Sequence, residues 1–377
     1  MRIAGIGVLL ATGCSFSADY GGTAYRCEAG VCPDGYLCGL DGYCHLPGGD
    51  AAAAGDGSGA DAPPGIDGAP VDADLLADPP WWDAAWSHRR RITIHNVSGV
   101  TIAEPFQVGF AVDIESLIGG GTYAQVRVIH HNPTTGAAMQ MTRVIDDTAG
   151  TDEHLWLPLW ETLDPGDTVD HYWLYYGNDS PSGTVLNDPS FLFEFYAPFS
   201  ATDNRLEFTG TATVNGELTL GPSSNIRTLS PYRWGTGYAV DFTMRVPAWG
   251  ARFWGGFQRV DDFTDDEPWI IWISRGSTQI TPEFLAYDTG VTVADVGTAV
   301  AVPTSARIYS IERFPTATTY SIEFSQIDRL THGDFTTDLQ LRLANESANN
   351  IYFDMLRVRQ ACDPPPEVTL GPEETYP

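Results

Sequence analysis

The chain has no lysine. All twenty of its basic residues are arginine, set against 49 carboxylates, and the formal charge is −29 over 377 residues. Cations this sparse and scattered exclude nucleic acid as a partner, because phosphate binding needs clustered positive charge. An acidic surface suits solubility and divalent cations instead. Long apolar runs are missing too: the longest near the start, Ile3 to Ala11, is too short to cross a bilayer. No helical period is sustained over twelve residues in the folded part of the chain, which excludes helical and βαβ architectures. Two catalytic patterns are absent as well, a His-Glu-x-x-His array and a strand carrying Glu-x-Asp-x-x-Glu. With 12% aromatic residues, the chain has the length and apolar content for two or three domains with their own cores.

What is present begins with an address. Arg2 precedes the apolar run, and Leu10-Ala11-Thr12-Gly13-Cys14 resembles a bacterial lipobox, with Ala11 where Leu is more usual. The resemblance implies a processed signal over 1–13, diacylation of Cys14 and stable membrane attachment. Ser15, in place of an inner-membrane retention Asp, points to the outer membrane or cell surface. Cys27, Cys32, Cys38 and Cys44 then crowd into eighteen residues among Gly, Asp and Pro, too few to bury a core. In an exported chain this predicts a small module over 14–46 held by two disulfides, with three pairings open. A zinc site is the weaker alternative, since His45 would be its one imidazole. The pattern resembles EGF-like cysteine-rich modules of myxobacterial surface proteins. Cys362 is left over as a free or buried thiol. Residues 47–80, acidic and nearly devoid of large apolar side chains, are expected to be a disordered spacer with a root-mean-square span of roughly 30 Å.

Beyond the spacer the expected fold class is all-β, two tandem jelly-roll-like β-sandwiches at 81–187 and 188–371 with a tail at 372–377. Short alternating runs bounded by Gly, Pro, Asn and Asp carry this reading through both halves. The opening WWDAAWSHRRRITIHN and the later LWLPLWETLDPGDTVDHYWLYYGN, ending in Tyr175-Tyr176-Gly177-Asn178, resemble the family called domain of unknown function 2341. That resemblance implies a ligand-binding β module of surface proteins. The family's middle-strand Asp is missing from Gln125-Val126-Arg127-Val128. The His130-His131 pair precedes Asn132-Pro133 and reads as solvated turn histidines, since neighbours on a strand would face opposite ways. Trp156 and Trp160 read as packing residues.

In the second half, Tyr352-Phe353-Asp354-Met355-Leu356-Arg357-Val358-Arg359 and the Pro364-Pro365-Pro366-Glu367 tail resemble the close of concanavalin A-like, laminin G-type jelly rolls. Asp261, Asp262, Asp265, Asp266 and Glu267 form an acidic loop whose hard oxygen ligands suit calcium, the one cofactor considered. Trp249, Trp254 and Trp269 flank it as candidate ligand-binding rings, Trp249 being the best placed for exposure. With no catalytic residue identified, the expected function is a non-catalytic surface lipoprotein that binds a glycan or other extracellular ligand. Alternatives are a polysaccharide hydrolase and a structural or adhesion protein of the envelope.

Overall fold

The computed structural model describes residues 79–147, 152–246, 252–259, 268–276, 278–288, 291–301 and 304–377, and three short N-terminal strands. The chain divides into two compact units, Met1–Val71 and Asp72–Pro377. In the first, strand Tyr43–His45 pairs on either side with Tyr25–Arg26 and Leu37–Cys38, so Cys38 stands opposite Cys44 in the register. Cys14, Cys27, Cys32 and nearly all of the spacer lie outside the described residues.

In the second unit two β-sandwiches account for almost all regular structure. The first has a five-stranded sheet in the order Glu367–Thr375, His88–His95, Thr168–Tyr176, Arg127–His131, Ala138–Met141. A three-stranded sheet, Phe106–Val112, Glu153–Leu159, Val144–Asp146, completes it. Period-two alternation drives Ile92, Ile94, Val128, Leu155, Leu157, Tyr172, Leu174 and Tyr176 into the shared core. Each such side chain contributes about 1.5–3 kcal/mol through burial. Trp173 and Tyr175 point the other way, where the Trp81–Trp86 segment folds over them. The Arg89 guanidinium sits between Trp81 and Trp173, at 4.6 and 4.1 Å from their ring centres. The opening aromatic cluster is therefore a cover for this sheet.

The tail is not a tail. Glu367–Thr375 is the edge strand of the first sandwich, paired with His88–His95. Pro372 cannot donate to a ladder, but it falls at the register shift between Leu370 and Glu373, a place where an edge strand tolerates proline. Glu373 accepts from the Tyr176 hydroxyl at 2.6 Å and Glu374 from Arg89 at 2.8 Å, so the strand is held by side chains as well. The strand that completes the first sandwich's sheet thus follows the second sandwich in the chain, and the second is an insertion into the first.

That second sandwich consists of two eight-stranded antiparallel sheets. One runs Ala212–Val214, Leu218–Leu220, Ile351–Gln360, Tyr238–Arg245, Arg307–Phe314, Ala317–Ile322, Ser325–Thr331, with Phe195–Ala197 added on Ile351–Gln360. The other runs Leu206–Thr209, Ser224–Thr228, Gln340–Asn345, Arg252–Gln258, Trp269–Arg275, Gln279–Asp288, Val291–Val296, with Val300–Ala301 added on Gln279–Asp288. Phe242, Trp272, Tyr309, Tyr320 and Phe353 fill the space between. Two of their polar tips find carbonyl partners: Trp272 donates to Ser310 O at 3.1 Å and Tyr320 to Glu283 O at 2.8 Å. The all-β, jelly-roll class expected from the pattern is the class observed.

A buried ion network joins the sandwiches. Asp241 is fully buried and accepts from Arg357 Nε at 2.8 Å and Arg359 Nε at 3.1 Å. Arg357, 1% exposed, then reaches across to Asp146 of the first sandwich with both terminal nitrogens, at 3.0 and 2.6 Å. Arg359 pairs with Glu312 at 2.8 Å. Burial alone would raise the Asp241 pKa, but the two guanidiniums outweigh it and hold the carboxyl down at about 2. The folded pKa lies below the unfolded one, so this stabilisation is present above the ordinary aspartate range and lost as pH falls toward 2. Removing one member leaves two buried cations underpaired. Asp241→Asn is therefore expected to cost about 3–5 kcal/mol in denaturant unfolding at pH 7. The gap from wild type should narrow as pH drops from about 4 toward 2. A cost below about 1 kcal/mol would show the network to be dispensable.

Candidate functional site

A cleft of about 230 Å³ lies where the two sandwiches meet. From the first come Gln107, Gly109, His154 and Trp156, on the paired strands Phe106–Val112 and Glu153–Leu159. From the second come Ser310, Glu312, Thr319, Ser321, Gln326 and Arg329, on three consecutive antiparallel strands. The crossing segment 359–366 supplies one rim, with Cys362, Asp363, Pro365 and Pro366.

Each wall has a local reason. Gly109 stands opposite Trp156 in the ladder, and a Cβ there would lie 2.5 Å from the indole, so only glycine lets the ring lie across that strand. Trp156 Nε1 donates to Asp146 at 2.7 Å, and the Arg357 and Arg359 guanidiniums sit 5.0 and 4.9 Å from its ring. The facing aromatic is Phe324. The alternation predicts a strand from Thr319 through Phe324, but the strand ends at Ile322 and Glu323-Phe324 form a tight hairpin turn with φ of 51° and 59°. Such a turn favours Asn-Gly. Here two non-glycine residues hold the left-handed region, and the arrangement is secured from outside the hairpin. Phe324 stacks on His154 at 4.0 Å and meets Trp156 edge-on at 5.5 Å. The Glu323 carboxylate accepts from Ile308 N at 3.0 Å.

The floor is polar because the outer face of this sheet carries small hydroxyls in register, Ser310 opposite Ser321 and Glu312 opposite Thr319. Ser310 Oγ is buried and has no hydrogen-bond partner among the described residues. Burial, aided by Arg359 and Arg357, pushes His154 down to about 3, so it is neutral at physiological pH. Burial pushes the Cys362 thiol up to about 12, which leaves it protonated and unreactive. Both cleft carboxylates are committed, Glu312 to Arg359 at 2.8 Å and Asp363 to Arg329. Aromatic walls, hydroxyls, three carboxamides (Gln107, Gln326 and Gln360) and compensated charge make a surface for stacking and hydrogen bonding rather than for proton transfer.

Of the ligand-binding and metal residues marked by sequence, none that is described lines this cleft. Trp249 and the acidic residues Asp261, Asp262, Asp265, Asp266 and Glu267 lie outside the described residues. Trp254 and Trp269 do meet, on the outer face of the second sandwich's other sheet, with Ile271, Ile273 and Ala344. Trp254 is only 6% exposed, however, with the Arg342 guanidinium 5.3 Å from its ring centre, and it presents no open face for a sugar. Trp269 is half-buried. Among the described residues no strand of this sandwich bears two carboxylates on one face, the arrangement a Glu-x-Asp-x-x-Glu strand would give. His130 and His131 sit on strand Arg127–His131 and not on a turn, with the turn beginning directly after at Asn132. The cleft residues His154, Ser310, Phe324 and Arg329 were missed, since they come from distant strands with no motif linking them. The one local hint is a hairpin turn lacking glycine. Phe324→Gly should relieve that turn yet lower unfolding stability by about 1–2 kcal/mol, through lost aromatic contacts. Unchanged or higher stability would show that the ring does not hold the junction.

No family model matches the chain, and no curated protein matches it. Among solved structures it is similar to an apo Crh5 transglycosylase, at 20% identity over 44% of this chain and 84% of that one, TM-score 0.35. It is also similar to an endo-β-1,3-glucanase from Pyrococcus furiosus, at 13% identity over 45% and 94%, TM-score 0.35. A third is LamAcat from Zobellia galactanivorans, at 12% identity over 45% and 97%, TM-score 0.36.

Proposed function

We propose that the chain is an exported surface lipoprotein, anchored through Cys14, that binds a neutral glycan in the cleft between its sandwiches without cleaving it. The observation that carries the reading is the cleft's composition. Half-buried Phe324, backed by the buried Trp156 and by His154, offers an apolar contact for the CH surface of a sugar, beside Ser310, Thr319, Ser321 and Gln326 as hydroxyl partners. Both carboxylates there already hold arginines, so the site offers neither a free acid for glycosidic cleavage nor a free cation for an anionic sugar. At about 230 Å³ the cleft is smaller than the roughly 300–1,000 Å³ of drug-sized ligand sites, which suits a single sugar residue or chain end. The cysteine-rich unit and the acidic spacer then act as a stalk.

A soluble Cys14→Ala form, screened on a glycan array with and without calcium, tests the reading. Binding of a neutral glycan is expected, and Ser321→Phe, which fills the cleft, should weaken it at least about tenfold with the melting temperature little changed. Absence of any glycan binding, or affinity indifferent to Ser321→Phe, would remove the cleft from consideration. Calcium dependence would bring the Asp261–Glu267 loop into the site. In the native host, Cys14→Ala should move the protein from the membrane to the soluble fraction. Retention in the pellet would rule out the lipid anchor.

A further inference from the structure

His130, Glu161 and His171 take no part in the cleft, yet three separate chain segments bring them together. His130 lies on Arg127–His131, directly opposite Tyr172 of Thr168–Tyr176. That second strand has an irregularity between Val169 and Tyr172 where it pairs with His88–His95, and bulges of this kind re-aim side chains. His171, displaced there, comes to 5.0 Å from His130 ring to ring, while Tyr172 lies at 4.8 Å. Glu161 follows the Glu153–Leu159 strand of the opposite sheet, and its Oε1 is 2.6 Å from His171 Nε2. The Tyr172 hydroxyl accepts from the backbone N–H of Trp160, next to Glu161, at 3.0 Å and fixes that segment.

The potential ligand atoms of the three side chains all lie within 4.8 Å of one another, and each residue is half-buried, so the group is shielded but reachable from solvent. Two imidazoles and one carboxylate form a donor set that suits zinc and neighbouring transition metals, while calcium prefers oxygen alone. We propose that His130, Glu161 and His171 bind one such metal ion, zinc being the fitting class, with a coordination position left open. His131 cannot join them, because alternation along the strand turns it to the other side of the sheet, the side of Ile129. The hydrogen bond between His171 and Glu161 occupies the donors in the ion's absence, and binding would replace that proton by the metal.

The test uses the full chain with its N-terminal cysteines, stripped of metal and dialysed against Zn²⁺, with Co²⁺ as a spectroscopic probe. One equivalent is expected that weakens at least about tenfold in His130→Ala and in Glu161→Gln. The Co²⁺ complex should show ligand-field bands that disappear in His130→Ala. Glu161→Gln keeps a hydrogen-bonding side chain beside His171, so it decides the matter if an alanine variant fails to fold. Zinc should also raise the melting temperature of the wild type but not of Glu161→Gln. Lack of any equivalent dependent on His130 and Glu161 would overturn the site. So would a Co²⁺ spectrum dominated by thiolate charge transfer and untouched by both variants, which would place the ion on the cysteines.

Discussion

Asp241 is the point on which the folded unit turns. A fully buried carboxylate is costly unless it is paired, and here two arginines of one strand, Arg357 and Arg359, pair it. Those arginines are in turn buried, and they need further acids. Arg357 takes Asp146 from the other sandwich, and Arg359 takes Glu312. Neither sandwich can satisfy this chain of charges alone. The network therefore specifies one docking geometry, because any slip would leave a buried ion without its counterpart. Trp156 is locked into the same arrangement, its indole N–H on Asp146 and its ring beside both guanidiniums.

Docking creates the cleft. The hydroxyl-bearing face of one sheet would be ordinary solvent-exposed surface without the first sandwich standing against it. Phe324 then holds a left-handed turn because His154 and Trp156 receive its ring, so a local conformational cost is offset by a contact from another domain. The insertion topology reinforces this. Since Glu367–Thr375 must return to His88–His95, both ends of the second sandwich are tied to the first, and the two form one compact unit.

Much of the fold was legible in the sequence because strands announce themselves by alternation and turn residues. Ile92 and Ile94, or Tyr172, Leu174 and Tyr176, are read as core positions from spacing alone. Where the reading failed, a non-local partner had overridden a local signal. Gly371-Pro372 looks like the start of a tail, until an edge strand accommodates it in a bulge. Asn132-Pro133 suggests that His130-His131 belong to a turn, but pairing with Thr168–Tyr176 keeps both histidines in a strand. Trp254 looked available for a ligand, and its neighbours on the sheet face cover it.

Composition and pattern by themselves determined the all-β class, the acidic surface without lysine and the separation of a cysteine-rich start from a folded remainder. These depend on local period and on charge, which need no third dimension. Tertiary structure alone decided that the first sandwich is closed by the chain's last strand. It also decided that Asp146 and Asp241 share an arginine, that His154 faces Phe324, and that His130, Glu161 and His171 meet. Each of those joins residues far apart in the chain through sheet register and packing, and a sequence records neither until the strands have chosen their neighbours.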